Sequence, residues 1–168
     1  MTTSDTTTDL FQLYSVYIKA TPQAIWDAIT KPEWSERYGY GGLVDYDLRP
    51  RGKFVSRPDA AMKEYPGIPD IIIDGQVIES HPPNRLVQTW RMLMSPDEVE
   101  GFTTLTYEIA ETSRPAVTKL TVTHDLTNAP GLAAMTAGKL ESEGAGGGWN
   151  EVLSGLKTLL ETGTPLVG

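Results

Sequence analysis

Cysteine is absent from this 168-residue chain, and histidine occurs only twice. Disulfide scaffolds, thiolate metal sites, thiol nucleophiles and iron–sulfur clusters are thereby excluded. Basic residues are also scarce: 14 Lys and Arg stand against 22 Asp and Glu, a net charge of −8. That balance argues against a nucleic-acid-binding or anionic-membrane surface, either of which needs clustered cations. No apolar run approaches the length that spans a bilayer. The first ten residues, MTTSDTTTDL, have neither a basic region nor an apolar core. No secretory signal is therefore read there, and a cytoplasmic location is expected.

The hydrophobic share, 39%, leaves out the 16 glycines and reaches the ordinary globular range once they are counted. At this length one domain is the natural reading. Residues 1–9 read as a disordered polar tail, 10–163 as a single domain and 164–168 as a C-terminal tail.

Residues 10–19 carry the first strand signal, with Tyr14, Val16 and Ile18 on the face to be buried. Thr21 as N-cap and Pro22 at the first helical position predict a helix that ends at Lys31-Pro32. A short helix over 33–37 follows, ended by Gly39-Tyr40-Gly41-Gly42. Strands are then predicted at 43–48, 53–57, 71–80, 85–92, 102–110 and 117–126, seven in all. The Pro-rich stretch 58–70 reads as a loop, and 130–143 as a short helix that Gly131 and Gly138 interrupt. Trp149, Val152, Leu153, Leu156, Leu159 and Leu160 mark one face of a C-terminal helix, with Gly163 just past its end.

The matching stretches of a known family lie along this order of elements. They are Ile25-Trp26-Asp27-Ala28-Ile29-Thr30, Trp34, Asp47-Leu48-Arg49-Pro50 into Gly52-Lys53-Phe54, and Pro82-Pro83-Asn84-Arg85-Leu86-Val87. Thr89-Trp90, Leu120-Thr121-Val122-Thr123-His124, Gly148-Trp149 and Leu159-Leu160-Glu161-Thr162-Gly163 complete the set. Over about residues 13–162 the chain resembles the START-like (SRPBCC) superfamily, and within it is most similar to homologues of the heat-shock ATPase activator. The resemblance implies an α+β helix-grip fold: a seven-stranded curved antiparallel sheet (strand, two short helices, six strands) wrapped around a long C-terminal helix. Two places depart from the usual pattern. The 58–70 loop is longer, and Arg51 stands where a second hairpin glycine is common.

A cavity between sheet and helix is part of that fold, and strand alternation says what faces it. The expected ligand-binding set is Leu86, Gln88, Trp90, Met92, Leu105, Tyr107, Val122 and His124 from the strands. Trp149 and Leu153 join them from the helix, with Trp34 and Tyr38 at the entrance. The plainer alternative packs all of these as core. His124 is the one imidazole on an apolar strand face, so it is the candidate acid or base, with Tyr107 beside it. A buried histidine satisfied by a neighbour is the alternative there. Asp125 cannot orient His124, because adjacent strand residues point to opposite faces.

No metal site is expected, since His81 and His124 are the only imidazoles, and no cofactor is expected either. The Gly144–Gly148 run lacks the sequence of a phosphate loop, and Arg49, Arg51 and Lys53 read as a solvated hairpin tip. Superfamily members include hydrophobic-ligand carriers, cyclases and aromatases, and a co-chaperone domain. The first expectation is therefore binding of a hydrophobic or aromatic small molecule. The second is a cyclase-, aromatase- or dehydratase-type enzyme using His124. The third is contact with a heat-shock ATPase, and a homodimer remains open.

Overall fold

Runs that alternate apolar and polar residues have one face to bury, and here they bury it together. In the computed structural model, which describes residues 9–39 and 42–167, seven strands form one antiparallel sheet. They are β1 (Phe11–Ile18), β2 (Leu43–Tyr46), β3 (Lys53–Arg57), β4 (Ile73–His81), β5 (Arg85–Met92), β6 (Thr103–Glu111) and β7 (Thr118–Asp125). Their order is β1-β7-β6-β5-β4-β3-β2, so the first strand pairs with the last and β1 and β2 form the two edges. The expected polar tail lies outside the described residues except for Asp9, as do Tyr40 and Gly41.

Register places one inward row across the whole sheet. Tyr14 pairs with Val122, Tyr107 with Val122, Leu105 with His124, Gln88 with Leu105, and Trp90 with Thr103. Beyond β4 the row continues through the pairs Ser56–Ile73 and Tyr46–Phe54. In β4 the pairing slips between Val77 and Glu79, so Ile78 is an extra residue that bends the sheet.

Two helices join β1 to β2. Helix α1 (Pro22–Thr30) starts as the sequence predicts: Thr21 Oγ1 accepts the Ala24 amide at 3.1 Å, and Pro22 opens the first turn. Helix α2 (Pro32–Ser35) is a single turn, shorter than the predicted 33–37. The expected helix over 130–143 is cut to α3 (Pro130–Thr136), because Gly138 (φ 80°) takes the left-handed conformation. Its N-cap, Ala129, has no side-chain acceptor to offer. Glu100 caps it from a distance, accepting the amides of Gly131 (2.9 Å) and Leu132 (2.8 Å). The 58–70 segment contains one tight helical turn at Met62–Glu64, and Met62 and Ile68 pack against the core.

Helix α4 (Gly148–Thr162) lies against the sheet through Trp149, Val152, Leu153, Leu156 and Leu159, all buried. It ends at Gly163 (φ 79°), whose amide returns to the Leu159 carbonyl at 2.8 Å. Its start depends on glycine more strictly. Gly148 has φ 68°, and a Cβ there would lie 2.2 Å from the Thr136 carbonyl oxygen. This close approach of α4 to α3 fixes where Trp149 enters the core.

Candidate functional site

Two of the polar places on the inner face of the sheet are resolved in opposite ways. The first is His124, which is fully buried. Trp149 Nε1 donates to His124 Nδ1 at 3.0 Å. An indole nitrogen is a donor only, so Nδ1 accepts and the ring proton sits on Nε2. Nε2 donates to Thr103 Oγ1 at 2.8 Å, and that hydroxyl donates to the Trp90 carbonyl, also at 2.8 Å. The rings of Trp90 and Trp149 stand edge-on to the imidazole, at 5.4 and 5.9 Å between centroids. Burial holds the His124 pKa down to about 3, against the opposing pull of the Asp125 charge. A second proton would have to sit on Nδ1, facing the indole N–H. The imidazole is therefore neutral with both nitrogens committed inside the protein. A general acid or base must touch the group it serves, and His124 has no nitrogen left to do so.

The second polar place lies toward β2, β3 and β4, where α4 no longer fills the concave face. A cavity of about 60 Å³ remains there, walled by Ile29, Val44, Phe54, Ile73, Val152 and the rings of Tyr38, Tyr46, Trp90, Tyr107 and Trp149. Two serines also face it. Ser35 Oγ is used up, accepting the Val44 amide at 3.2 Å and donating to the Gly42 carbonyl at 2.9 Å. Ser56 is 1% exposed, and its hydroxyl has no hydrogen-bond partner among the described residues. Burying a hydroxyl unpaired costs about 1–3 kcal/mol, so a hydrogen-bond partner for this group would be stabilising.

Three tyrosines surround the same space. Tyr38 donates to the Ala28 carbonyl at 2.8 Å, and Tyr46 donates to Gln88 Oε1 at 2.7 Å. Burial pushes the pKa values of Tyr38, Tyr46 and Tyr107 upward, so all three stay protonated; Tyr38 and Tyr46 have spent their one proton and can only accept, while Tyr107 can still donate. The chamber is apolar with neutral hydroxyls at its wall, which suits binding of an uncharged group.

A larger groove lies outside this cavity. It has a volume of about 480 Å³ and is bordered by Met62, Met92, Met94, Met135 and the Gly144–Gly148 turn. Gly39 and Val152 line both spaces. A Cβ built on Gly39 would come into van der Waals contact with Val152 Cγ1, at 3.5 Å. Next to the groove, and sharing Met92, Ser95 and Met135 with it, is a second depression of about 420 Å³.

The sequence-predicted residues separate into groups. Tyr38, Trp90, Tyr107 and Trp149 line the inner cavity, and Met92 lines the groove. Leu86, Gln88, Leu105, Val122, His124 and Leu153 are buried around the cavity without lining it. Trp149 covers this part of the face, with its ring edge-on to Tyr107 and His124. Trp34 packs partly buried beneath the Arg37 guanidinium, 5.5 Å from its ring, and is not part of the wall. Val44, Tyr46, Phe54 and Ser56 were missed, although alternation within 43–48 and 53–57 places each pair on one face. Among the described residues no three His, Cys, Asp or Glu gather where they could hold a metal. Nor, among them, is any helix long and apolar enough to cross a membrane.

The family described as activator of Hsp90 ATPase homolog 1-like protein matches residues 19–161. No curated protein matches the sequence. Among solved structures, an HSP90 activator from Plasmodium falciparum is similar with a TM-score of 0.60 at 18% identity, covering 90% of this chain and 96% of that one. CalU16 from Micromonospora echinospora gives a TM-score of 0.63 at 18% identity, over 94% of this chain and 77% of that one. A protein from Staphylococcus saprophyticus gives 0.63 at 15% identity, over 94% and 96%. At these identities the likeness is one of fold.

Proposed function

Since the chain belongs to the activator of Hsp90 ATPase homolog 1-like family, whose START-like helix-grip fold it shares, we propose that it binds a hydrophobic small molecule between the sheet and α4. The observation that carries this reading is the Ser56 hydroxyl, buried and unpartnered in a cavity whose other walls are mostly apolar. A fold that leaves such a group unsatisfied loses stability for it, and a ligand or water that meets it recovers that loss. The neutral tyrosines Tyr38, Tyr46 and Tyr107 support a ligand with an uncharged polar atom. His124 holds Trp149 and Thr103 in place in this reading and does not transfer protons.

Native mass spectrometry of the full chain with N-phenyl-1-naphthylamine, a neutral apolar probe, tests it. A one-to-one adduct is expected, weakened at least tenfold by Val152→Phe, which fills the space shared by cavity and groove. Ser56→Ala, which leaves packing almost unchanged, is expected to weaken it less. Absence of any adduct at saturating probe would overturn the reading.

A second reading is contact with a heat-shock ATPase. It is favoured by the family and by the outward face of edge strand β1, where Phe11, Leu13 and Tyr17 are 54–62% exposed. A change in the ATPase rate on adding the chain, lost on Leu13→Lys, would support it. An unchanged rate would dismiss it.

A further inference from the structure

Met62, Met92, Met94 and Met135 come from separate loops and elements, yet all four border one groove. With Met1, which lies outside the described residues, they are every methionine of the sequence. Methionine is unbranched and polarizable, and surfaces rich in it repack around irregular apolar bodies. Size points the same way. A pocket for a small organic molecule occupies about 300–1,000 Å³. The groove, at about 480 Å³, falls in that range, whereas the inner cavity, at about 60 Å³, has room for a few waters.

Charge narrows the occupant further. Glu151 lines the groove, and Glu98 and Glu100 line the depression that adjoins it, while no Lys, Arg or His lines either. Glu100 is partly compensated by the two α3 amides it caps, but Glu98 and Glu151 are exposed. An anionic amphiphile would bring like charge to this rim.

We propose that the methionine groove is the main ligand-holding part of the site, taking an uncharged or cationic apolar molecule and rejecting anionic amphiphiles such as fatty acids. This rests on the small-molecule reading above. The body of the ligand packs on the methionines, and Val152, which lies between groove and cavity, turns aside so that a polar atom reaches Ser56.

The test uses the full chain labelled with ¹³C at the methionine methyls, titrated with N-phenyl-1-naphthylamine and with 8-anilinonaphthalene-1-sulfonate. These probes differ by one sulfonate. The neutral probe is expected to shift the Met62, Met92, Met94 and Met135 methyl signals and to bind at least tenfold tighter than the anion. Single Met→Leu substitutions assign the signals. If the neutral probe moves the indole signals of Trp90 and Trp149 and leaves all methionine methyls unmoved, the groove proposal falls and the small-molecule reading survives. Equal affinity for the two probes overturns the charge preference. No saturable binding of either probe overturns both the proposal and the reading it rests on.

Discussion

Lowering the pH from 7.5 to 5 destabilises this fold through His124 by about 2 kcal/mol. In the unfolded chain the imidazole titrates near its ordinary value of 6.5, and in the folded chain burial holds it to about 3. The folded value is the lower one, so between the two it is the unfolded chain that takes up the extra proton. Stability is therefore fully present above about pH 6.5 and is lost progressively as pH falls toward 3. Each unit costs about 1.4 kcal/mol, and pH 5 lies 1.5 units below the unfolded value. Asp125, held low mainly by the Thr127 hydroxyl, and Glu161, held low mainly by Lys157, have the opposite order of causes and a different window. Their contributions are lost only below roughly pH 4.5. For a chain of 168 residues, 2 kcal/mol corresponds to a fall in Tm of about 4–8 °C. Urea unfolding at the two pH values, for the wild type and for His124→Gln, isolates the effect. The wild type is expected to lose about 2 kcal/mol and the variant, which cannot titrate there, less than about 0.5 kcal/mol. Equal losses in both would refute the neutral, internally satisfied histidine.

Other outcomes follow from the same geometry. Trp149→Phe removes the donor that favours the neutral imidazole at Nδ1, so the His124 pKa should rise in an NMR titration, with about 1–3 kcal/mol of stability lost. Gly148→Ala forces a Cβ to 2.2 Å from a backbone oxygen at positive φ and should cost at least about 3 kcal/mol by urea unfolding. Arg51 sits at φ 69° in the β3 turn, so Arg51→Gly should stabilise by about 1 kcal/mol in the same assay. Ser56→Ala removes an unpartnered buried hydroxyl and should leave the ligand-free protein equally stable or up to about 1 kcal/mol more stable, read as a Tm that does not fall.

Much of the fold was legible because alternation and capping are local signals. Thr21 and Pro22 started α1, Gly163 ended α4, and the inward rows of β5, β6 and β7 followed from period two. The Gly expected at position 51 by resemblance coincides with the position of the β2–β3 hairpin that has positive φ, so the departure there is a strained residue in the same turn. What local signals did not carry is distance. Nothing in the sequence of 130–143 says that Glu100 will cap α3 from another loop. The candidate site shows the same limit. Which inward residues face a void depends on where Trp149 and Val152 of α4 meet the sheet, and they leave Val44, Tyr46, Phe54 and Ser56 facing space beside Trp90 and Tyr107. His124 was correctly placed on the inner face, but its role turns on Trp149, 25 residues away and on a different element.

The proposed function turns on whether the space between the sheet and α4 binds an apolar molecule. Crystals of the full chain grown with saturating N-phenyl-1-naphthylamine test it most directly. The naphthalene is expected against the methionines and Val152, with the aniline end toward Ser56 and Tyr107 and the Trp149–His124 hydrogen bond intact. Probe bound on another face, or an empty groove and cavity at saturation, would contradict it.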